Sequence, residues 1–188
     1  IFDNEREVIV VKLRKKIGVV HLGTGNYSRS TINKFIDELH KRSWYDKGIF
    51  AAQPRGTETA QAYTDSGGSY PLFTFTKDGI RGTEIIESVI GATVLSTGEA
   101  LGQLYGVAQD NPLDLITIGV TETGITPDGI VMHVLRELLY QTFNTWGEKH
   151  TLCVMNIDNI TLTGEVIRDI QLALAPRLGE PAFTEWVS

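Results

Sequence analysis

Short, nearly unbroken apolar runs alternate along this chain with stretches whose apolar residues recur at three- and four-residue spacing. Ile17 to Leu22 is such a run, interrupted only by His21 and ending on Gly23. It predicts a strand buried on both faces. Thr31 to Arg42 places Ile32, Phe35, Ile36 and Leu39 at helical spacing and predicts an amphipathic helix with those four on its inner face. Gly48 to Gln53 reads as a second buried strand, closed by Pro54. Leu72 to Thr76 and Ile85 to Val94 lean towards strand. Ser96 followed by Glu99 has the spacing of a capping box and predicts a helix to about Gln109. Leu113 to Val120 is a further buried strand. Pro127 is expected near the first turn of a long helix whose face carries Ile130, Val131, Val134, Leu135, Leu138 and Leu139. Leu152 to Ile157 predicts the next strand and Gly164 to Leu174 the next helix. This alternation predicts an α/β fold, a doubly wound and mostly parallel sheet with helices on both faces and right-handed crossovers. Residues 1–16 are expected to form a flank and 17–188 one domain.

Composition narrows the function classes. Of 188 residues, 41% are hydrophobic and 21% charged, which is ordinary for a globular domain. A net charge of -6 argues against a nucleic-acid footprint. The Arg14-Lys15-Lys16 cluster lies beside Asp3, Glu5 and Glu7 and reads as solvated flank. No apolar run is long enough to span a membrane, and the N-terminal stretch lacks a signal-peptide pattern, so a cytoplasmic, membrane-free protein is expected. The single cysteine, Cys153, excludes an internal disulfide and sits in an apolar run, where a small core residue is expected. The four histidines show no metal-ligand spacing, so no metal is expected.

The chemistry-bearing signal is Gly23-Thr24-Gly25-Asn26-Tyr27-Ser28-Arg29, which directly follows the first strand and precedes a helix. That is the setting of a dinucleotide fingerprint, which makes the fold Rossmann-like. Gly23 would permit the tight turn and Gly25 the approach of backbone to a pyrophosphate, with the helix N-terminus offering N–H donors. Ser28 stands where a third glycine is usual. After the second strand, Glu58 is the candidate for the ribose hydroxyls of NAD, and Arg55 competes as a group that would accept the extra phosphate of NADP. NAD is the expectation, with NADP open. Thr121-Glu122-Thr123-Gly124 and Asn156-Ile157-Asp158-Asn159 follow later strands, at the sheet end where ligands gather. On the residues alone, Glu122 could equally be surface, and Asp158 or Asn159 a helix cap.

Together these segments resemble the mannitol dehydrogenase family of polyol-specific long-chain dehydrogenases, which includes fructuronate and tagaturonate reductases. Val20 to Arg29 is similar to its V-H-L-G-x-G-N-F-H-R string, Gly119 to Gly124 to its T-E-G-G segment, and Val154 to Asn159 with Gly164-Glu165-Val166 to its S-C-D-N…N-G-x-V segment. Ser28 departs from a histidine, Thr123 from a glycine, and Asn156-Ile157 from S-C. The resemblance implies a cofactor role for Gly23, Thr24, Gly25, Asn26, Arg55 or Glu58, and for Thr121 and Glu122. It implies contact of Asp158 and Arg29 with a polyol or sugar-acid substrate, and makes Asn159 the group that polarises the reacting oxygen. The family's proton-transferring lysine lies in a K-x-x-x-x-N-x-x-H motif of a further helical domain, and that motif does not occur in these 188 residues. The chain alone is therefore expected to bind cofactor without turnover. A non-catalytic or regulatory dinucleotide-binding module is the alternative.

Overall fold

Strand β1 (Ile17–Leu22) stands at the centre of the sheet because both of its faces are apolar. Val20 and Leu22 pack into one hydrophobic cluster and Val19 into another on the opposite side. The computed structural model describes residues 16–157 and 163–188. After β1 the chain forms α1 (Asn26–Ser30), α2 (Ile32–Lys41), β2 (Gly48–Gln53), α3 (Glu58–Asp65), β3 (Tyr70–Thr76), β4 (Gly79–Ile86) and β5 (Val89–Val94). It continues as α4 (Gly98–Asp110), β6 (Leu115–Ile118), α5 (Ile130–Trp146), β7 (Cys153–Asn156), α6 (Thr163–Leu174) and α7 (Pro181–Val187). The main sheet has the order β5-β2-β1-β6-β7. Every pairing in it is parallel. Helices α2 and α3 cover one face through Ile32, Ile36, Ala60 and Tyr63. Helices α4, α5, α6 and α7 cover the other, through residues such as Leu104, Leu135, Ile167 and Phe183. The doubly wound α/β architecture expected from the alternation is present.

Several local expectations are corrected. Helix α2 buries Asn33 and Asp37 beside Ile32 and Ile36, while Phe35 is 58% exposed. The polar pair is drawn inward by distant partners. Asn33 donates to the Tyr63 hydroxyl at 3.1 Å, and Asp37 accepts the Glu87 amide at 2.8 Å. Helix α4 is capped by Thr97 and not by Ser96, since Thr97 Oγ1 accepts the Ala100 amide at 3.2 Å. Strand β6 is shorter than the apolar run around it, and α5 begins at Ile130, after Pro127, with Ile130 itself exposed. Cys153 is exposed and not a core residue.

The segment Ile85 to Val94 is two elements. Its start belongs to an antiparallel β3–β4 hairpin, and β5 begins after Ser88. Ser88 is buried, and its hydroxyl donates to the Asn33 carbonyl at 2.7 Å. A two-stranded ribbon is marginal alone. This one is fastened by Tyr70, whose hydroxyl donates to the Arg29 carbonyl at 2.7 Å and whose ring lies 5.9 Å from that of Tyr63.

Candidate cofactor cleft

The strand order reverses between β1 and β6, since β2 and β5 lie on one side and β7 on the other. In an open parallel sheet such a reversal leaves a crevice beyond the carboxyl ends of the strands. Here it holds a cleft of about 390 Å³, and the loops that follow β1, β2 and β6 meet in it.

Gly23 begins the first loop. It has φ of +134°, and a Cβ there would lie 2.5 Å from the Gly119 carbonyl oxygen. Only glycine lets the two loops pass so closely. Hydrogen bonds fix both: the Gly23 amide donates to Ala52 and the Gly119 amide to Leu22, each at 2.9 Å. Gly25 differs, because a Cβ there would meet nothing within 4 Å. The space over Gly25 is open to a ligand. This close approach beside an open backbone fits the cradle that a dinucleotide pyrophosphate requires.

The helix predicted from Thr31 is present as α2, and a short additional helix, α1, precedes it, the two meeting at Thr31. Thr31 Oγ1 donates to the Tyr27 carbonyl at 2.6 Å, and Ser30 Oγ donates to Tyr27 and Asn26. Such side-chain bonds compete with the helical ladder. Ser28, in the place of the third glycine, is buried and donates to the Gly25 carbonyl at 2.8 Å.

The sequence-predicted residues divide into three groups. Gly23, Thr24, Gly25, Arg55 and Thr121 line the cleft. Asn26, Arg29, Glu58 and Glu122 are not among its lining residues. The Arg29 guanidinium is bonded to Asn26 Oδ1, and Glu122 opens a 3-10 turn at Glu122–Gly124. Asp158 and Asn159 lie outside the described residues. Among the described residues lining the cleft, Arg55 alone carries a charge.

Sequence reasoning missed two residues here. Gln53 closes β2, is buried, and uses both ends of its amide. Nε2 donates to the Arg55 carbonyl at 2.7 Å and Oε1 accepts the Ala60 amide at 2.8 Å. It thereby sets the loop that carries Arg55 and Glu58, and the signal for it was a polar residue closing a buried strand. The second is His21, buried on β1, with Nδ1 2.8 Å from Thr117 Oγ1 and Nε2 without a partner among the described residues. Burial pushes its pKa down to about 4, so the ring is neutral near pH 7. It stands directly beneath Gly119, where a Cβ would lie 2.9 Å from its Cε1.

A second cavity of about 370 Å³ opens between β7, α5, α6 and α7, lined by His150, Arg168 and Gln171 among others. It contains none of the sequence-predicted cofactor residues. Among the described residues no group of histidine, cysteine, aspartate and glutamate side chains could hold a metal ion. No described helix is long and apolar enough to cross a membrane.

No family model matches the chain. Over 186 residues it is 28% identical to the altronate oxidoreductase of Bacillus subtilis (strain 168), covering 90% of this chain and 38% of that protein. Its fold matches a D-sorbitol dehydrogenase in substrate-free form with a TM-score of 0.75 at 19% identity, over 92% of this chain and 40% of that one. It also matches Pseudomonas fluorescens mannitol 2-dehydrogenase, solved with NAD and D-mannitol, with a TM-score of 0.72 at 18% identity, over 93% of this chain and 40% of that one. The chain thus spans 38–40% of the length of these relatives. Its sequence likeness to altronate oxidoreductase and the Rossmann-type fold it shares with two polyol dehydrogenases support the resemblance to the N-terminal domain of the mannitol dehydrogenase family.

Proposed function

We propose that this chain is the dinucleotide-binding part of an oxidoreductase that moves hydride between a nicotinamide, NAD or NADP, and the carbonyl carbon of a ketose or sugar acid. The observation that carries this reading is the passage of Gly23 against Gly119 at the strand-order reversal, with Gly25 open above it.

A bound nicotinamide supplies or accepts the hydride. The chain's own residues hold and orient. The backbone of Gly23, Thr24 and Gly25 would follow the pyrophosphate, and Thr121 would border the cleft from the other loop. The resemblance gives Asn159 the role of a neutral amide donor to the substrate oxygen, where it would stabilise negative charge that develops as hydride arrives. The proton belongs to a lysine of the family's helical domain.

Titration with reduced nicotinamide dinucleotides, followed by nicotinamide fluorescence, tests the reading. Saturable binding of NADH or NADPH is expected, and Gly25→Asp should abolish it by filling the open space with a negative side chain. If neither dinucleotide binds at millimolar concentration, the reading falls. In an active enzyme containing the chain, Asn159→Ala should lower kcat and leave dinucleotide affinity unchanged; unchanged kcat would remove the polarising role.

A further inference from the structure

We propose that Arg55 makes the β2 end of the cleft a site for a ribose 2′-phosphate, so that NADP(H) is preferred over NAD(H). This rests on the dinucleotide reading above and settles which nicotinamide the cleft takes.

The loop from Gln53 to Ala60 follows β2, at the place where Rossmann-type sites discriminate the two cofactors. A carboxylate there accepts hydrogen bonds from the ribose hydroxyls of NAD, and an arginine there accommodates the added phosphate of NADP. In this loop the strand end is neutral. Gln53 occupies it, and its amide is committed to the Arg55 carbonyl and the Ala60 amide. It has no carboxylate to offer a ribose.

Arg55 and Glu58 are the loop's two charged residues, and they face different surroundings. Glu58 is turned back on its own loop. Its carboxylate accepts the Thr57 amide at 3.1 Å and is packed against Gly56, where a Cβ would collide with Oε2. Gly56, with φ of +68°, allows that fold-back. Glu58 is not among the lining residues of the cleft. To reach a ribose it would have to leave the Thr57 amide.

Arg55 is arranged the other way. It is exposed and lines the cleft, and no hydrogen bond or ion pair of its guanidinium is found among the described residues. Its backbone is held by Gln53, so the base of the side chain is fixed while its head is available. A guanidinium offers a phosphate paired N–H donors that it cannot offer to ribose hydroxyls with comparable strength. Among the described residues that line the cleft none is acidic, so no carboxylate of that lining opposes an added phosphate.

Parallel titrations of the whole chain with NADPH and NADH test this, with 2′,5′-ADP against 5′-AMP in calorimetry as a readout independent of nicotinamide. NADPH should bind about tenfold more tightly than NADH, the scale of one charge-assisted hydrogen bond. 2′,5′-ADP should likewise exceed 5′-AMP. Arg55→Ala should erase most of that difference by weakening NADPH. Tighter binding of NADH than of NADPH overturns the inference and leaves the dinucleotide reading intact. Equal weakening of both by Arg55→Ala also overturns it, since Arg55 would then serve the shared part of the molecule. Binding of neither overturns both.

Discussion

Thr117 Oγ1 lies 2.8 Å from His21 Nδ1, and the two side chains are buried on the neighbouring parallel strands β6 and β1. Burial lowers the His21 pKa from 6.5 to about 4. The unfolded chain therefore binds a proton between those values that the folded chain does not. The stability tied to the neutral ring is fully present above pH 6.5 and is lost as pH falls towards 4, and about 3 kcal/mol is at stake. Urea unfolding at several pH values should show this loss in the wild type. His21→Asn, which keeps a polar group near Thr117 but does not titrate, should flatten the profile in that window. Parallel profiles would show that His21 is not the group responsible.

Gly23 and Gly25 should separate stability from binding. At Gly23 an added Cβ meets the Gly119 carbonyl, a backbone atom, and φ of +134° is disfavoured for any other residue. Gly23→Ala should cost about 1–3 kcal/mol, the range for a strained backbone conformation. Gly25 has φ of -66° and open space around it. Gly25→Ala should change stability by less than about 1 kcal/mol, since it only weakens a helix cap. Its effect should appear in dinucleotide affinity. Urea melts and NADPH fluorescence on the same two proteins decide it. A well-folded Gly23→Ala protein of wild-type stability would contradict the close approach.

Helix α2 shows where pattern reading succeeds and where it stops. Periodicity located the helix and its two anchors, Ile32 and Ile36, both buried. It also counted Phe35 inside, because spacing weighs only hydrophobicity. Asn33 and Asp37 take the inner positions through bonds to Tyr63 and Glu87, residues far along the chain. Ile36→Ala should therefore cost about 2–4 kcal/mol. Phe35→Ser should stay within about 0.5 kcal/mol, as exposed positions generally do. Thermal or urea unfolding of the pair checks the assignment, and a large loss from Phe35→Ser would restore the reading from spacing alone.

The same contrast runs through the site. Strands β1 and β2 were legible because strands buried on both faces are continuously apolar, and the glycine loop was legible because its backbone demands appear as residue type. The β3–β4 hairpin was half-read, since much of it is exposed and its strand β4 carries glycine and charge. The choice between Arg55 and Glu58 was not legible. Which of two neighbouring side chains faces a cleft depends on how the loop is folded back, and Gln53 and Gly56 govern that.

Gln53 is therefore where the loop should be most vulnerable. Its amide satisfies the buried Ala60 amide and the Arg55 carbonyl at once. Gln53→Leu keeps the apolar volume at the strand end and strands those two backbone groups. Leaving a buried polar group unmade costs about 1–3 kcal/mol. The disturbance should be local, because β2 retains its parallel partners β1 and β5. Hydrogen exchange should then quicken at Ala60 and the first turn of α3 while the amides of β1 remain protected. NADPH affinity should fall with it, since Arg55 loses the bond that fixes its backbone. Unchanged exchange at Ala60 would show that the Gln53 amide does not hold the loop. Faster exchange with unchanged NADPH affinity would show that the placement of Arg55 does not depend on it.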